Sequence, residues 1–331
     1  MKILSTSTLA PASALGLAVV LVAAGSSLAS GHGVSTPLTH YVTFDNSGTP
    51  PQSWEWTVEN NGSDGFGLDE AEFDGGTGDA FDDFGGFLVD GDPYISMHPE
   101  EDADAALLSE DENGDIHLEG YVAQLSGLDV SSTWTFFSET PIARSVATFT
   151  NPGDDDVEVV VDYIGNLGSD GRTQIVPGSH DGLFVTHDND AGDPVITHAV
   201  AGPEYPAVVE WEAGQDDISA RYPITVPAGA TVHLLWFVEI RDWESANADI
   251  SFEDALEVAI AGAEERYLAP SAALTAGDFD LDAVLNWSVQ GDGDGDGGDG
   301  GGDGGDDDDD VDDVDDTRSD IETIIRPGYT G

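Results

Sequence analysis

The sequence predicts an all-β fold, a large antiparallel β-sandwich that carries one or two C-terminal helices and is followed by a disordered acidic tail. Three observations lead to this prediction. Between residues 40 and 241, apolar and polar residues alternate in many segments with a period of two, as in strands with one buried face. Clusters of Gly, Pro, Asn and Asp separate these segments as turns. Residues 291–310 are only Gly and Asp, which cannot bury a core.

The predicted strands are rich in β-branched and aromatic residues, which suit the pleated surface of a sheet. Strands at this spacing, without helices between them, are typical of a sandwich or a barrel. The clearest strands are expected at residues 54–58, 116–122, 145–150, 157–163 and 231–240.

A helix is predicted to begin after Ser251, which is a suitable N-cap and is followed by acidic residues in the first turn. Pro270 ends this helix. Its apolar stripe, at helical spacing, consists of Leu256, Ile260, Ala263 and Tyr267. A second short helical stretch is expected from Leu281 to Trp287, docked on the sandwich.

Residues 1–29 predict a secretory signal peptide. Lys2 supplies its positive charge, residues 15–24 form an apolar run, and Ser27-Leu28-Ala29 is a small-x-small cleavage site. The apolar run is shorter than the roughly 20 residues that a membrane helix needs. We therefore expect a secreted protein, extracellular or at the cell surface, with a periplasmic location as the alternative. No membrane span is expected in the mature chain.

Composition divides the mature chain into four parts. Residues 30–39 are expected to form a flexible lead-in, and residues 40–290 the β-sandwich domain. Residues 291–316 form a Gly/Asp-rich acidic linker, which we expect to be disordered because its charges repel and it has almost no apolar residue to bury. Residues 317–331 form a short C-terminal tail.

Acidity is the dominant property of the chain. It holds 67 Asp and Glu against 8 Lys and Arg, and Lys2 is its only lysine. The excess is not confined to the tail, because residues 30–290 hold 51 of the acids against 5 arginines. Such a domain repels itself at ordinary ionic strength, where the Debye length is about 8 Å, and is relieved in molar salt, where it is about 3 Å. The composition therefore predicts a halophilic protein; a generic acidic protein or a calcium buffer is the alternative.

The same charge excludes several classes of function. Binding of nucleic acid requires stripes of Lys and Arg that neutralise phosphates, and anionic membrane surfaces attract the same residues. The chain has no cysteine, which excludes disulfides, Cys-zinc sites and thiol catalysis. We expect no nucleic-acid partner and no required cofactor.

One short acidic segment has the spacing of a calcium loop. Asp111, Asn113 and Asp115 place three oxygen ligands at positions 1, 3 and 5, so that one tight turn could wrap a hard cation. An EF-hand loop would continue with Gly and Glu, but Ile116 and Val122 stand at those positions. A calcium site and a plain acidic hairpin turn both remain open.

Two further sets of residues could carry chemistry or binding. His187-Asp188-Asn189-Asp190, with His180 and His198 nearby in sequence, could form a general-base or metal site, or a charged loop between strands. His233 lies in an apolar strand and is expected to be a hydrogen-bonded core residue. Six tryptophans could form a sugar-stacking platform or pack in the core: Trp54, Trp56, Trp134, Trp211, Trp236 and Trp243.

Three segments carry a resemblance to known proteins: residues 143–151, residues 157–173 and the ending Asp278 to Trp287. They combine an Arg-bearing strand, an Asn turn, a second strand and a polar loop. In this pattern the chain resembles uncharacterised secreted bacterial β-sandwich proteins and is similar to super-sandwich, mutarotase-like domains found near carbohydrate-active enzymes. The resemblance spans about residues 40–290. The resemblance implies the fold and favours a carbohydrate-related function, and it identifies no catalytic residue.

The sequence therefore favours an exported or cell-surface, non-enzymatic β-sandwich protein of a halophilic prokaryote, with a structural or adhesive role. The alternative is a carbohydrate-binding or carbohydrate-modifying module. The expected partners are a cell-surface glycan or another surface protein, and calcium is the one ion that the sequence suggests.

The acidity leads to a prediction about stability. We expect the melting temperature of the mature protein to fall as sodium chloride is lowered from molar to millimolar, because screening of the carboxylates is lost. Thermal unfolding followed by circular dichroism measures this change. An equal melting temperature at the two salt concentrations would contradict the halophilic interpretation.

Overall fold

The computed structural model describes thirteen parts of the chain. These are residues 39–46, 52–61, 65–73, 80–97, 106–168, 173–187, 194–205, 208–211, 217–241, 252–268, 270, 277 and 279–287. The predicted signal peptide, acidic linker and C-terminal tail lie outside the described residues, as does the lead-in up to residue 38. Among the described residues, no helix combines the length and the apolar character that a membrane-spanning helix requires.

The first sheet has eight antiparallel strands in the order β1-β2-β3-β4-β11-β16-β15, with β5 paired to β4. The strands are numbered along the chain. They are β1 (Thr39–Asn46), β2 (Gln52–Asn61), β3 (Gly65–Phe73), β4 (Phe81–Val89), β5 (Asp92–Pro93), β11 (Val157–Leu167), β15 (Val208–Trp211) and β16 (Asp217–Val226).

The second sheet has nine antiparallel strands in the order β12-β13-β14-β17-β10-β9-β7-β6, with β8 paired to β9. They are β6 (Ala106–Glu110), β7 (Ile116–Gly120), β8 (Ala123–Leu125), β9 (Leu128–Phe136), β10 (Ile142–Thr150), β12 (Gln174–Pro177), β13 (Leu183–His187), β14 (Val195–Ala199) and β17 (Thr231–Arg241). The two sheets confirm the predicted all-β sandwich.

Aromatic rings fill the space between the two sheets. Tyr163 of β11 stacks on Trp236 of β17 with ring centroids 4.5 Å apart, and Phe87 of β4 packs on the same tryptophan at 5.9 Å. Each such side chain contributes roughly 1.5–3 kcal/mol when it is fully buried. The core therefore depends on large rings that reach from one sheet to the other, and its largest fully buried members include Trp56, Trp134, Trp236, Tyr94, Tyr163 and Tyr222.

A helix covers part of the outer face of the second sheet. This helix, α1 (Phe252–Tyr267), packs Ala259, Ala263 and Tyr267 against residues that point away from the core. Glu239 of β17, only 5% exposed, forms an ion pair with Arg241 Nη2 at 2.9 Å and accepts a hydrogen bond from Arg266 Nη2 at 2.6 Å. A buried carboxylate is tolerated only when it is paired, so the two arginines make this contact part of the docking of the helix.

Hydrogen bonds of Asn286 attach the last described segment, residues 279–287, to the outer face of the second sheet. Its Nδ2 donates to the carbonyl oxygens of Leu235 at 2.7 Å and of Val200 at 2.9 Å, and its Oδ1 accepts from Leu235 N at 2.9 Å. The segment 281–287 is therefore not a continuous helix as predicted. A 3-10 helix covers Leu281–Ala283, and the residues after it follow the strand because Asn286 bonds to the strand backbone.

The other secondary-structure predictions are confirmed with small shifts. Each of the five clearest predicted strands overlaps a strand of the structure, although β7 ends at Gly120 rather than at residue 122. The predicted Asn turn also forms. Asn151 Nδ2 donates to the carbonyl oxygens of Asp155 and Val226, and its Oδ1 accepts from Gly153 N.

Two buried tyrosines give a matched test of hydrogen bonding in the core. Tyr222 OH donates to Val200 O at 2.8 Å and accepts from Trp236 Nε1 at 3.0 Å. Tyr163 OH is buried and has no hydrogen-bond partner among the described residues. We expect Tyr222→Phe to lower the free energy of unfolding by about 1–3 kcal/mol, because it leaves buried groups unpaired, and Tyr163→Phe to leave it equal or higher.

Chemical denaturation in molar salt measures both variants against the wild type. A loss for Tyr163→Phe as large as that for Tyr222→Phe would contradict the assignment of an unpaired hydroxyl to Tyr163.

Candidate functional site

An open groove with a volume of about 430 Å³ lies on the first sheet, where β4, β11, β16 and β15 are neighbours. We call it the first groove. Four carboxylates, one amide and one hydroxyl line it together with two isoleucines and a glycine. Its residues are Asp82, Asp83, Ile164, Gly165, Asn166, Glu210, Asp217, Ile218 and Ser219.

Irregular pairing between β4 and β11 shapes this groove. Gly165 pairs with Phe84, but Leu167 pairs with Phe81, so the register shifts beside the groove. Gly165 is required here, because a Cβ at this position would collide with the ring of Phe84. Asp83 adopts a φ of 68°, a left-handed conformation that Asp tolerates better than most residues. The shift interrupts the regular sheet surface and brings polar groups of β4 next to those of β11.

The groove presents mainly hydrogen-bond acceptors. Asn166 Oδ1 is buried and has no hydrogen-bond partner among the described residues. An unpaired buried acceptor costs about 1–3 kcal/mol, which a donor group of a ligand would offset. Asn166 is in register with Asp217, and Ser219 is in register with Glu210, so the acceptors lie on adjacent strands. A ligand rich in donors and free of negative charge fits this lining.

Three carboxylates beside the first groove could hold a cation. One oxygen each from Glu59, Asp69 and Asp83 lie within 4.8 Å of one another, and all three residues are half-buried. A register shift in the β2–β3 hairpin accounts for the place of Asp69, because Val58 pairs with Leu68 while Thr57 pairs with Glu70. Oxygen ligands of this kind suit Ca²⁺ or Mg²⁺.

Another groove, of about 480 Å³, lies further along β11 and β16 of the first sheet. We call it the second groove. It is lined by Asp90, Glu158, Val159, Val160, Pro223, Ile224 and Thr225. The ion pair between Arg221 Nε and Asp162 Oδ1, at 2.6 Å, lies between the two grooves along β11 and β16. This hydrogen bond raises the pKa of Arg221.

The predicted calcium loop forms an acidic turn between β6 and β7. Asp111 Oδ1 accepts from Asn113 N at 2.8 Å and from Asp115 N at 3.0 Å. Slight burial raises the pKa of Asp111, but these hydrogen bonds outweigh it, so the pKa lies below its ordinary value. Asp115 Oδ1 accepts from Ser138 N and Oγ. The oxygens thus have protein partners in this geometry, and calcium binding by Asp111, Asn113 and Asp115 stays a prediction.

A row of polar side chains runs from this turn across the second sheet. Asp111 Oδ2 lies 3.7 Å from His117 Nε2, and His117 Nδ1 lies 3.0 Å from Thr135 Oγ1. Arg144 Nη2 in turn donates to Thr135 Oγ1 at 2.9 Å. With the imidazole proton on Nε2, Thr135 Oγ1 donates to His117 Nδ1 and accepts from Arg144 Nη2, so each hydrogen bond in the row has one donor and one acceptor. Burial lowers the pKa of Arg144 to about 10, which leaves it charged.

The structure places two of the predicted histidines, His187 and His198, on opposite sides of the second sheet. His198 is fully buried on the core side of β14, where it stacks on Phe184 at 4.7 Å and where burial lowers its pKa to about 3. His187 shares the side of β13 with Val185, which packs with the helix rather than with the main core. Asp188, Asn189 and Asp190 lie outside the described residues. The prediction for His233 is confirmed: it is 5% exposed, and its Nδ1 lies 3.0 Å from Thr148 Oγ1.

Of the two interpretations of the tryptophans, packing in the core is confirmed for the four strand residues whose side chains are described, and these four do not form a sugar-stacking platform. Trp54, Trp56, Trp134 and Trp236 are each at most 2% exposed. They face the core because strand alternation puts them on the same side as the aliphatic residues around them. Trp243 and the side chain of Trp211 lie outside the described residues.

Sequence reasoning missed the residues of the first groove and the carboxylates beside it. Asp69 and Glu59 are separated by a short Gly/Asn/Ser turn, so a hairpin prediction could have paired them. Asp82, Asn166, Glu210 and Asp217 line one groove only because β4, β11, β15 and β16 are neighbours in the sheet, and the sequence does not predict that order. In a chain with 67 acids, no local signal separates these few from the rest.

No protein-family model and no curated protein matches the chain. Among solved structures, the chain is similar to a heparinase III (TM-score 0.42, 12% identity, 61% of this chain and 35% of that chain covered). It is similar to the Slr1438 protein from Synechocystis sp. PCC 6803 (TM-score 0.40, 12% identity, 65% of this chain and 100% of that chain covered). It is also similar to a galactose mutarotase-like protein from Lactobacillus casei (TM-score 0.36, 10% identity, 61% of this chain and 100% of that chain covered). The chain spans about a third of the length of the heparinase.

Mutarotase-like β-sandwich proteins are thus among the structures that the chain is similar to, at low identity. Its own two sheets define an antiparallel β-sandwich with one described α-helix, and the first sheet has an open groove lined by acceptors.

The crowded acids beside the groove lead to a prediction on Glu70. Partial burial, and then the nearby charges of Glu72, Asp69, Glu55 and Asp82, raise the pKa of Glu70 above its ordinary value of 4.5. The folded state therefore binds the proton more tightly than the unfolded state does. Glu70 makes its most favourable contribution to stability below pH 4.5, and that contribution is lost as the pH rises through the raised pKa.

We expect Glu70→Gln to raise the melting temperature at pH 7 in low salt, and to raise it less in molar salt or below pH 4.5. Thermal unfolding over pH and salt measures this effect. The matched control is Glu257→Gln on the exposed side of α1. A gain for Glu70→Gln that is no larger than the control's would contradict the prediction.

Proposed function

We propose that this protein is an exported, non-enzymatic β-sandwich protein of a salt-adapted prokaryote, and that it binds a neutral glycan in the first groove, in an adhesive role at the cell surface. The observation that carries the proposal is the lining of the groove. It combines carboxylates, an amide oxygen without a partner among the described residues, and a hydroxyl, beside the half-buried Ile164.

The acceptor-rich lining supports a polyhydroxylated ligand. Sugar hydroxyls are donors that would satisfy Asn166 Oδ1, and they can also donate to the exposed carboxylate of Asp217. Hydrogen bonds to charged acceptors are roughly twice as strong as those between neutral groups. The apolar C–H face of a sugar ring would pack on the half-buried side chain of Ile164. A neutral glycan therefore uses both the polar and the apolar parts of the groove.

The charge of the groove supports a neutral glycan rather than an acidic one. Its four carboxylates repel uronic acids and sulfated sugars, which would need a cation beside them. The positive charge of the described arginine near the groove, Arg221, is already balanced by Asp162. Metal ions could relieve this repulsion, because Glu59, Asp69 and Asp83 lie beside the groove.

A non-enzymatic role is supported by how the structure uses three of its histidines. His198 is held among aromatic rings of the core, His233 contacts Thr148, and His117 contacts Thr135. These contacts stabilise the sandwich, and the three side chains lie on or face the second sheet rather than the grooves.

The test is calorimetric titration of the mature protein, in molar salt, with neutral and acidic oligosaccharides, with calcium and again with chelator. We expect binding of a neutral oligosaccharide, with at least about tenfold weaker affinity for Asn166→Ala and Asp217→Asn. The matched control is Ser131→Ala on the second sheet, which should bind as the wild type does. Binding of acidic sugars only, or equal affinity for all variants, would contradict the proposal. Turnover of any sugar would contradict the non-enzymatic role.

A further inference from the structure

We infer that the ligand is an extended chain of sugar units that lies along β11 and β16 and occupies both grooves at once. This inference rests on the proposed function and adds that the site selects for chain length. The observation that carries it is the presence of two grooves on the same pair of neighbouring strands, one on either side of the Asp162–Arg221 ion pair.

The register of the two strands sets the direction of this surface. Ile164 pairs with Ser219, Asp162 with Arg221, and Val160 with Pro223. These positions alternate with the buried Val161, Tyr163 and Gly165, so they lie on the outer face of the sheet. From Asn166 to Val160 the distance along β11 is about 20 Å, at roughly 3.3 Å per residue. A single sugar ring cannot span this length, whereas a chain of several units can.

The path between the grooves offers contacts suited to a glycan. Ile164 and Val160 are half-buried and Pro223 is exposed, so an apolar strip continues from one groove to the other. Arg221 lies midway, and its side chain is 52% exposed. The contact with Asp162 uses its Nε, and a guanidinium has five N–H donors, so it can donate to the ring and hydroxyl oxygens of a sugar.

The second groove resembles the first in chemistry. It places two carboxylates, Asp90 and Glu158, and the hydroxyl of Thr225 beside apolar side chains. Asp90 is fixed in place, because its Oδ1 accepts from Val160 N at 2.9 Å and its N donates to Val160 O at 2.8 Å. Each groove can therefore hold a separate part of one chain, and the second contact becomes intramolecular once the first has formed.

The experiment measures affinity against chain length. The probes are cello-oligosaccharides and malto-oligosaccharides, from the monosaccharide to the hexasaccharide, titrated into the mature protein in molar salt. We expect affinity to rise by at least about tenfold between the disaccharide and the hexasaccharide.

Thr225→Tyr tests the second groove. Thr225 is exposed in β16, and Tyr favours strands, so this variant should fold. It should keep the wild-type affinity for short sugars and lose the gain with length, whereas Asn166→Ala should weaken binding at every length. Gln124→Tyr, on the exposed edge of β8 in the second sheet, is the matched control and should behave as the wild type.

The outcomes separate the two proposals. Equal affinity for short and long sugars, or an unchanged gain with length in Thr225→Tyr, would overturn the extended ligand and leave glycan binding intact. If none of the sugars binds to the folded wild type, glycan binding in the first groove and the extended ligand are both overturned.

Discussion

Mutual repulsion among carboxylates is the constraint on which the rest of this structure depends. The chain has so few cations that each described arginine has a defined structural use. Arg241 and Arg266 converge on the buried Glu239 where α1 meets the second sheet, and Arg221 pairs with Asp162 between the grooves. Arg144 lies between the rings of Phe137 and Phe279 and contacts Thr135. These contacts join elements that the surplus of negative charge would otherwise drive apart.

Aromatic packing, rather than ion pairs, holds the two sheets together in the core. With little electrostatic attraction available, the two sheets are held by large aromatic side chains that meet in the middle, such as Tyr163 against Trp236. This use of aromatic residues leaves Trp54, Trp56, Trp134 and Trp236 inside the sandwich, whereas Trp287 packs on Phe237 at the outer face of the second sheet. The outward positions of β11 and β16 on the first sheet carry polar, charged and short apolar side chains. A binding site on the first sheet must therefore be built from carboxylates, amides and aliphatic residues. The two grooves have this composition.

Strand alternation was readable from the sequence, and so was the helix with its stripe of Leu256, Ile260, Ala263 and Tyr267, because both depend on local periodicity. The segment 281–287 was misread, because Asn286 bonds to the backbone of β17 and this tertiary contact overrides a weak helical preference. The grooves could not be foreseen. Their lining comes from β4, β11, β15 and β16, and the register shift at Gly165 depends on the packing of Phe84 from another strand.

Among the described residues, each sheet ends in strands that pair on one side only, and this has a consequence for self-association. Charged side chains along an edge normally keep two molecules from pairing their strands. In molar salt, where the Debye length is about 3 Å, this protection is largely screened. Three of the end strands are short, since β12 and β15 have four residues and β6 has five, but β1 has eight and, among the described residues, pairs only with β2. The salt that relieves repulsion within one molecule also removes a barrier between molecules, and β1 is the longest of the end strands in the described part of the chain at which strand-to-strand aggregation could begin.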